Sequence, residues 1–109
     1  MPIYLLTKNL GKIRAATRVF QEYGIIVKNL EKEYPEIQAD TSMEIARYAA
    51  LEAAKEHNVP VVREDHSLFI HALGIPGPYT NYTEKHISAE KLHDILRDEQ
   101  DRTGHFELT

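Results

Sequence analysis

Val61-Val62-Arg63-Glu64-Asp65-His66-Ser67-Leu68-Phe69-Ile70 sets two apolar runs on either side of a pair of adjacent carboxylates. Pro60 precedes the stretch and Gly74-Ile75-Pro76-Gly77 follows it. Short apolar runs between such turn signals read as buried strands. Glu64 and Asp65 interrupt them, and acids are rare in buried backbone unless they are paired or bind a cation. The residue types alone leave a second possibility open, in which both acids occupy a solvated bend between two strands.

Towards the N-terminus, Asn58-Val59-Pro60 ends a helical pattern that starts at Thr41-Ser42-Met43-Glu44, a capping box pairing Thr41 with Glu44. Ile45, Ala46, Ala49, Ala50, Ala53 and Ala54 form a stripe of mostly small residues along this helix, which suits close approach to a sheet or to another helix. Before it, Pro35 in Tyr34-Pro35-Glu36-Ile37-Gln38 keeps Tyr34 extended and places Glu36 in a loop or at a strand end. By composition, Glu36 is no different from its neighbours Glu31 and Glu33. Ile25 to Leu30 reads as a strand, as does Pro2 to Thr7.

Between those strands, Thr7-Lys8-Asn9-Leu10-Gly11-Lys12 is a polar turn running into a helix with Ile13, Ala16, Val19, Phe20 and Tyr23 at helical spacing. Asn9 is the expected N-cap and Gly24 the stop. Outward N–H groups, the helix dipole and Lys12 would suit an anion there, although an ordinary capped helix explains the same residues.

Beyond the acidic pair, Gly74, Pro76, Gly77 and Pro78 crowd into a loop whose shape they fix, either as a rigid connector or as a ligand-facing segment. Ser88 caps a further helix with Leu92, Ile95 and Leu96 on one face. Residues 104–108 suggest a last strand, as an edge or as a segment that pairs with a partner. The six histidines are scattered, and His66, beside Asp65, is the one placed to touch a ligand or the carboxylate.

The 109 residues suit a single α/β domain. Its expected form is a mixed sheet with strands near 2–7, 25–30, 60–64 and 67–73, flanked by helices near 10–23, 42–57 and 88–98. With no cysteine, thiolate catalysis, disulfides and cysteine-based zinc sites are excluded. A net charge of −4 argues against nucleic acid as a partner, and a polyphosphate would need local positive charge. Lys8, Lys12 and Arg14 interrupt the N-terminal region and no apolar run approaches spanning length, so neither leader nor membrane is expected and the compartment reads as cytoplasmic.

Four segments in order resemble the inosine-triphosphate pyrophosphatase family, which hydrolyses non-canonical purine nucleoside triphosphates. Thr7-Lys8-Asn9-Leu10-Gly11-Lys12 is similar to its Thr-x-Asn-x-x-Lys motif, and Tyr34-Pro35-Glu36-Ile37-Gln38 to its Pro-Glu-x-Gln segment. Glu64-Asp65-His66-Ser67-Leu68 resembles its Glu-Asp-x-x-Leu segment, and Ala72 to Tyr79 its glycine- and proline-rich loop, one residue shorter. The resemblance implies that Thr7, Asn9 and Lys12 hold the triphosphate, and that Glu36 and Asp65 gather Mg2+. It further implies that Asp65, with Glu64 beside it, activates water, releasing pyrophosphate from the nucleotide. His66 and Ser67 stand where many members have Ser-Gly, at the approach of the phosphates. The family's later segments, which recognise the base, have no counterpart here. Thr103-Gly104-His105-Phe106 looks like the strand at which its second lobe begins. A homodimer, or completion of the cleft by another chain, is therefore expected. The rival readings are a nucleotide- or partner-binding module without turnover and a phosphate-ester hydrolase with another substrate.

Overall fold

The computed structural model describes residues 1–109 apart from Glu33, Pro35 and Glu36. Contacts divide it into two compact units, one of residues 1–37 and 46–63, the other of 38–45 and 64–109.

In the first unit, β1 (Ile3–Leu6) lies between β2 (Val27–Leu30) and β3 (Val61–Val62), parallel to both. Parallel neighbours require crossovers, which α1 (Leu10–Gln21) and α2 (Ser42–His57) supply. Asn9 caps α1 as expected. After α1, Gly24 takes φ +69°, the left-handed turn that glycine allows without steric cost, and its N–H donates to the Gln21 carbonyl. The predicted capping box opens α2: Thr41 N–H donates to Glu44 Oε2 at 3.2 Å, and Glu44 N–H donates to Thr41 Oγ1 at 3.3 Å. Its small-residue stripe faces inward, with Ala46, Ala49 and Ala53 buried. Leu6, Ala49 and Ala53 form the core, packed round by Leu30, Tyr34 and Val61. The third strand is shorter than the expected span of 60–64. Its ladder stops after Val62, and the Arg63 guanidinium donates to the Leu6 carbonyl at 2.8 Å. That side-chain bond serves the β1 carbonyl that one more residue of ladder would have reached.

The second unit is built on β4 (His66–Ile70), which has antiparallel neighbours on both edges, β5 (Ile75–Gly77) and β6 (Gly104–Leu108). Reciprocal bonds between Asp65 and Thr109, 3.0 Å each, extend the β4–β6 ladder beyond the strand ends, as does His71 N–H to Thr103 O at the other end. Gly104 is a steric requirement, since a Cβ there would stand 2.7 Å from the Phe69 carbonyl oxygen. The glycine- and proline-rich loop contains β5, where Pro76, lacking an N–H, is tolerated because the strand is an edge. A helix that the sequence did not suggest, α3 (Thr80–His86), follows. Tyr79 gives it no side-chain cap. Instead, the Thr80 hydroxyl donates to the Gly77 carbonyl at 2.6 Å and accepts the Leu68 N–H at 2.8 Å, which ties the start of α3 to the sheet. The last helix, α4 (Ala89–Ile95), is shorter than the expected 88–98 and carries the expected Ser88 cap.

The class is α/β, as expected. Parallel and antiparallel pairings are carried by separate three-stranded ladders. Among the described residues, no helix is long and apolar enough to cross a membrane.

Ala53 has no exposed surface, so a larger side chain there must displace the core. Ala53→Leu is expected to lower the unfolding free energy by about 1–3 kcal/mol in urea denaturation. Unchanged stability would show that the stripe is not closely packed.

Candidate functional site

The turn after β1 is closed by its own side chains. Thr7 is buried, and its hydroxyl accepts the Asn9 N–H at 3.0 Å. Asn9 Oδ1 accepts the N–H groups of Gly11 at 2.9 Å and Lys12 at 3.2 Å. The first-turn donors expected to point outward to an anion are, at these residues, already taken by the cap. The cap uses the amide oxygen of Asn9 and leaves its NH2 as the hydrogen-bond donor it can present to a ligand. The positive end of the helix dipole is added to the charge of Lys12.

Glu36 lies outside the described residues, but Tyr34, just before it, is well anchored. Its hydroxyl donates to Glu56 of α2, which also pairs with Lys32. Partial burial and then the Glu56 carboxylate push the Tyr34 hydroxyl up to about 12. Lys32, and after it Tyr34, hold the Glu56 carboxyl below its ordinary value. Lys32 also stands 5.5 Å from the centre of the Tyr34 ring. Sequence reading missed this cluster, because Tyr34 and Glu56 are joined only when α2 packs on the sheet.

At the head of β4 the four remaining predicted residues part ways. Both carboxylate oxygens of Glu64 are cut off from solvent, and one stands 3.4 Å from His66 Nε2. Asp65 is half-buried, with its backbone held by Thr109. His66 is exposed and Ser67 fully buried, as alternation along a strand requires. The Ser67 hydroxyl is hydrogen-bonded to that of Ser42, itself buried at the start of α2. Ser42 was legible only as part of a capping box, which gives no sign that its hydroxyl turns inward.

Asp65 offers hard oxygen donors, the chemistry Mg2+ prefers, and that ion commonly uses one or two carboxylates and keeps several waters. This is compatible with the finding that, among the described residues, no group of three or more His, Asp or Glu side chains is placed to hold a metal. The second unit also has a cavity of about 450 Å³ lined mainly by apolar side chains, among them Leu68, Ile70, Ile87, Leu92 and Phe106. None of the predicted site residues lines it.

Residues 3–109 match the Ham1 family. A dITP/XTP pyrophosphatase of Methanopyrus kandleri is 39% identical over 107 residues, 97% of this chain and 57% of the relative. Those of Thermococcus kodakarensis and Ignicoccus hospitalis are 38% and 40% identical, over 97% and 95% of this chain and 58% and 56% of the relatives. The chain thus spans somewhat over half the length of the curated relatives it matches. Among solved structures, a HAM1 protein from Coxiella burnetii superposes with a TM-score of 0.79 at 23% identity, covering 99% of this chain and 61% of that one. At that identity the likeness speaks for the fold.

The buried hydroxyl pair separates a structural role for Ser67 from a ligand-binding one. Ser67→Ala leaves the Ser42 hydroxyl buried without its partner and is expected to cost about 1–3 kcal/mol, whereas the double variant Ser42→Ala/Ser67→Ala recovers most of that loss. Chemical denaturation of the three variants measures the cycle. A Ser67→Ala protein as stable as the parent would remove the structural role.

Proposed function

The chain belongs to the Ham1 family, and we propose that it acts on the triphosphate of non-canonical purine nucleotides such as those of inosine and xanthosine. The proposed reaction is Mg2+-dependent hydrolysis to the monophosphate and pyrophosphate. The observation that carries this reading is the 38–40% identity to dITP/XTP pyrophosphatases, together with an acidic pair at the head of a strand bonded on both edges.

In this reading Asp65 takes a proton from water as the water oxygen bonds to the α-phosphorus. The bond from that phosphorus to the α,β-bridging oxygen breaks, and pyrophosphate leaves with the electron pair. Glu64 sets the electrostatic field beside Asp65. Glu36 and Asp65 would hold Mg2+, which supplies positive charge to the phosphate oxygens as negative charge builds on them. The Asn9 amide NH2 and Lys12 bind phosphate oxygens, and Thr7 holds Asn9 in place through its N–H. His66, exposed at the strand head, meets the substrate, while Ser67 fixes the strand on which Asp65 and His66 are presented.

The second reading is a module that binds nucleotide without turnover.

Pyrophosphate release from inosine triphosphate and from ATP, with and without Mg2+, tests both. The expected result is Mg2+-dependent release that favours inosine triphosphate and falls at least about a hundredfold in Asp65→Asn, as for loss of a general base. Binding without release in the parent protein would establish the module. Release that ignores Mg2+ or survives Asp65→Asn would refute the assigned chemistry.

A further inference from the structure

Two imidazoles converge where the β4–β6 ladder begins to part. Ile70 pairs with Gly104, and the bond from His71 N–H to Thr103 O carries that register one residue further. His105 pairs with Phe69. His71 and His105 are therefore diagonal neighbours on one face of the sheet, a separation that long side chains bridge. Their rings do so, with His71 Nε2 standing 2.7 Å from His105 Nδ1. Both residues are exposed. Phe69 steadies the His105 ring by stacking on it, 5.0 Å between ring centres and 12° between planes.

The outer nitrogen of each ring determines where its hydrogen lies. The Thr103 hydroxyl donates its one hydrogen to Asp101 Oδ1 at 2.5 Å, and the Thr103 N–H donates to the same oxygen at 2.9 Å. The hydroxyl bond, and after it the backbone one, hold the Asp101 carboxyl below its ordinary value, as an acceptor. Thr103 Oγ1 must then accept from His71 Nδ1, 2.8 Å away. On the other ring, His105 Nε2 faces a Glu107 carboxylate oxygen at 3.4 Å, which draws the hydrogen to that nitrogen. The inner nitrogens, His71 Nε2 and His105 Nδ1, are left with lone pairs aimed at one another. At 2.7 Å such a pair needs a cation between its members, either a proton or a metal.

From this convergence we propose that His71 and His105 bind a late first-row divalent cation, such as Zn2+, which joins the end of β4 to β6. Imidazole nitrogen suits such ions, whereas Mg2+ prefers oxygen. Histidines that bind metal usually give their other N–H to a carboxylate or another acceptor, which fixes the ring and its tautomer. Glu107 does this for His105, and Thr103, backed by Asp101, does it for His71. Zinc held tetrahedrally, with Zn–N bonds of about 2.0–2.1 Å, sets two nitrogens about 3.3 Å apart. The rings therefore open by about half an ångström to admit it, which their exposure allows. Among the described residues no group of three or more His, Asp or Glu side chains is placed to hold a metal, so water completes the coordination. The inference is independent of the nucleotide reading, in which neither histidine has a role.

Zn2+ titrated into the isotope-labelled chain without nucleotide, followed through the imidazole NMR signals, tests the site. The signals of His71 and His105 are expected to shift first and together, and to saturate at one Zn2+ per chain. His71→Gln and His105→Gln are each expected to weaken binding at least about tenfold. His93→Gln, which removes an exposed imidazole on α4, is expected to leave it unchanged. Thr103→Val keeps both ligands but removes the acceptor behind His71, and is expected to weaken binding about tenfold. His71, His105 and Thr103 are all exposed, and the amide spectrum of each variant without zinc verifies its fold. Absence of zinc uptake, zinc that shifts His66 beside the acidic pair before His71 and His105, equal shifts at all six histidines, or undiminished binding in His71→Gln would overturn the proposal.

Discussion

A strand hydrogen-bonded on both edges cannot slip by one residue without turning every side chain to the opposite face, and β4 is such a strand. Its register decides that Ser67 points into the interior and His66 out of it. A slip would bury an imidazole and expose the hydroxyl that Ser42 needs. The Asp65–Thr109 pair carries the same constraint one step beyond the strand, to the backbone of Asp65. An acid on a free bend would sample many positions, whereas this one is held at a ladder end. That is a condition for work as a base or a cation ligand, both of which depend on position.

The first unit meets a different demand. Parallel strands bring two crossover helices, and α2 must lie close to the sheet to cover it. Ala49 and Ala53 allow that approach, and Leu6 fills the space that they leave. The polar turn before α1 is built for rigidity, with Thr7 holding Asn9 and Asn9 holding Gly11 and Lys12. Such a turn presents Lys12 and the helix dipole from a fixed frame. Its cost to an incoming anion is that the cap already occupies two donors.

Local signals were readable wherever a residue does one local job. Asn9, Thr41 with Glu44, Gly24 and Ser88 each cap or stop a helix, and each stands where its chemistry requires. The alanine stripe and the last strand were legible for the same reason, as periodic patterns. What escaped reading depends on contacts distant in sequence. Thr80 holds α3 through the Leu68 N–H, and nothing in Thr80 to His86 announces a helix. Arg63 ends β3 early by bonding the Leu6 carbonyl, 57 residues away. The proline-rich loop concealed a strand because Pro76 argues against one except at an edge, and edge position is a property of the sheet. Within the candidate site, the acidic pair and the polar turn were visible as motifs, whereas the burial of Ser67 against Ser42 and the clasp of Tyr34 by Glu56 were not.

The central proposal is that Asp65, at the head of β4, is a ligand of a divalent cation. Paramagnetic line broadening tests it most directly: Mn2+ is titrated, as a substitute for Mg2+, into isotope-labelled protein in the presence of inosine triphosphate. The expected result is that the amide signals of Glu64, Asp65 and His66 disappear first, at substoichiometric Mn2+, and persist in the Asp65→Asn variant. Broadening that begins instead at the exposed acids Asp94, Asp98 and Glu99, or that is unchanged by Asp65→Asn, would contradict it.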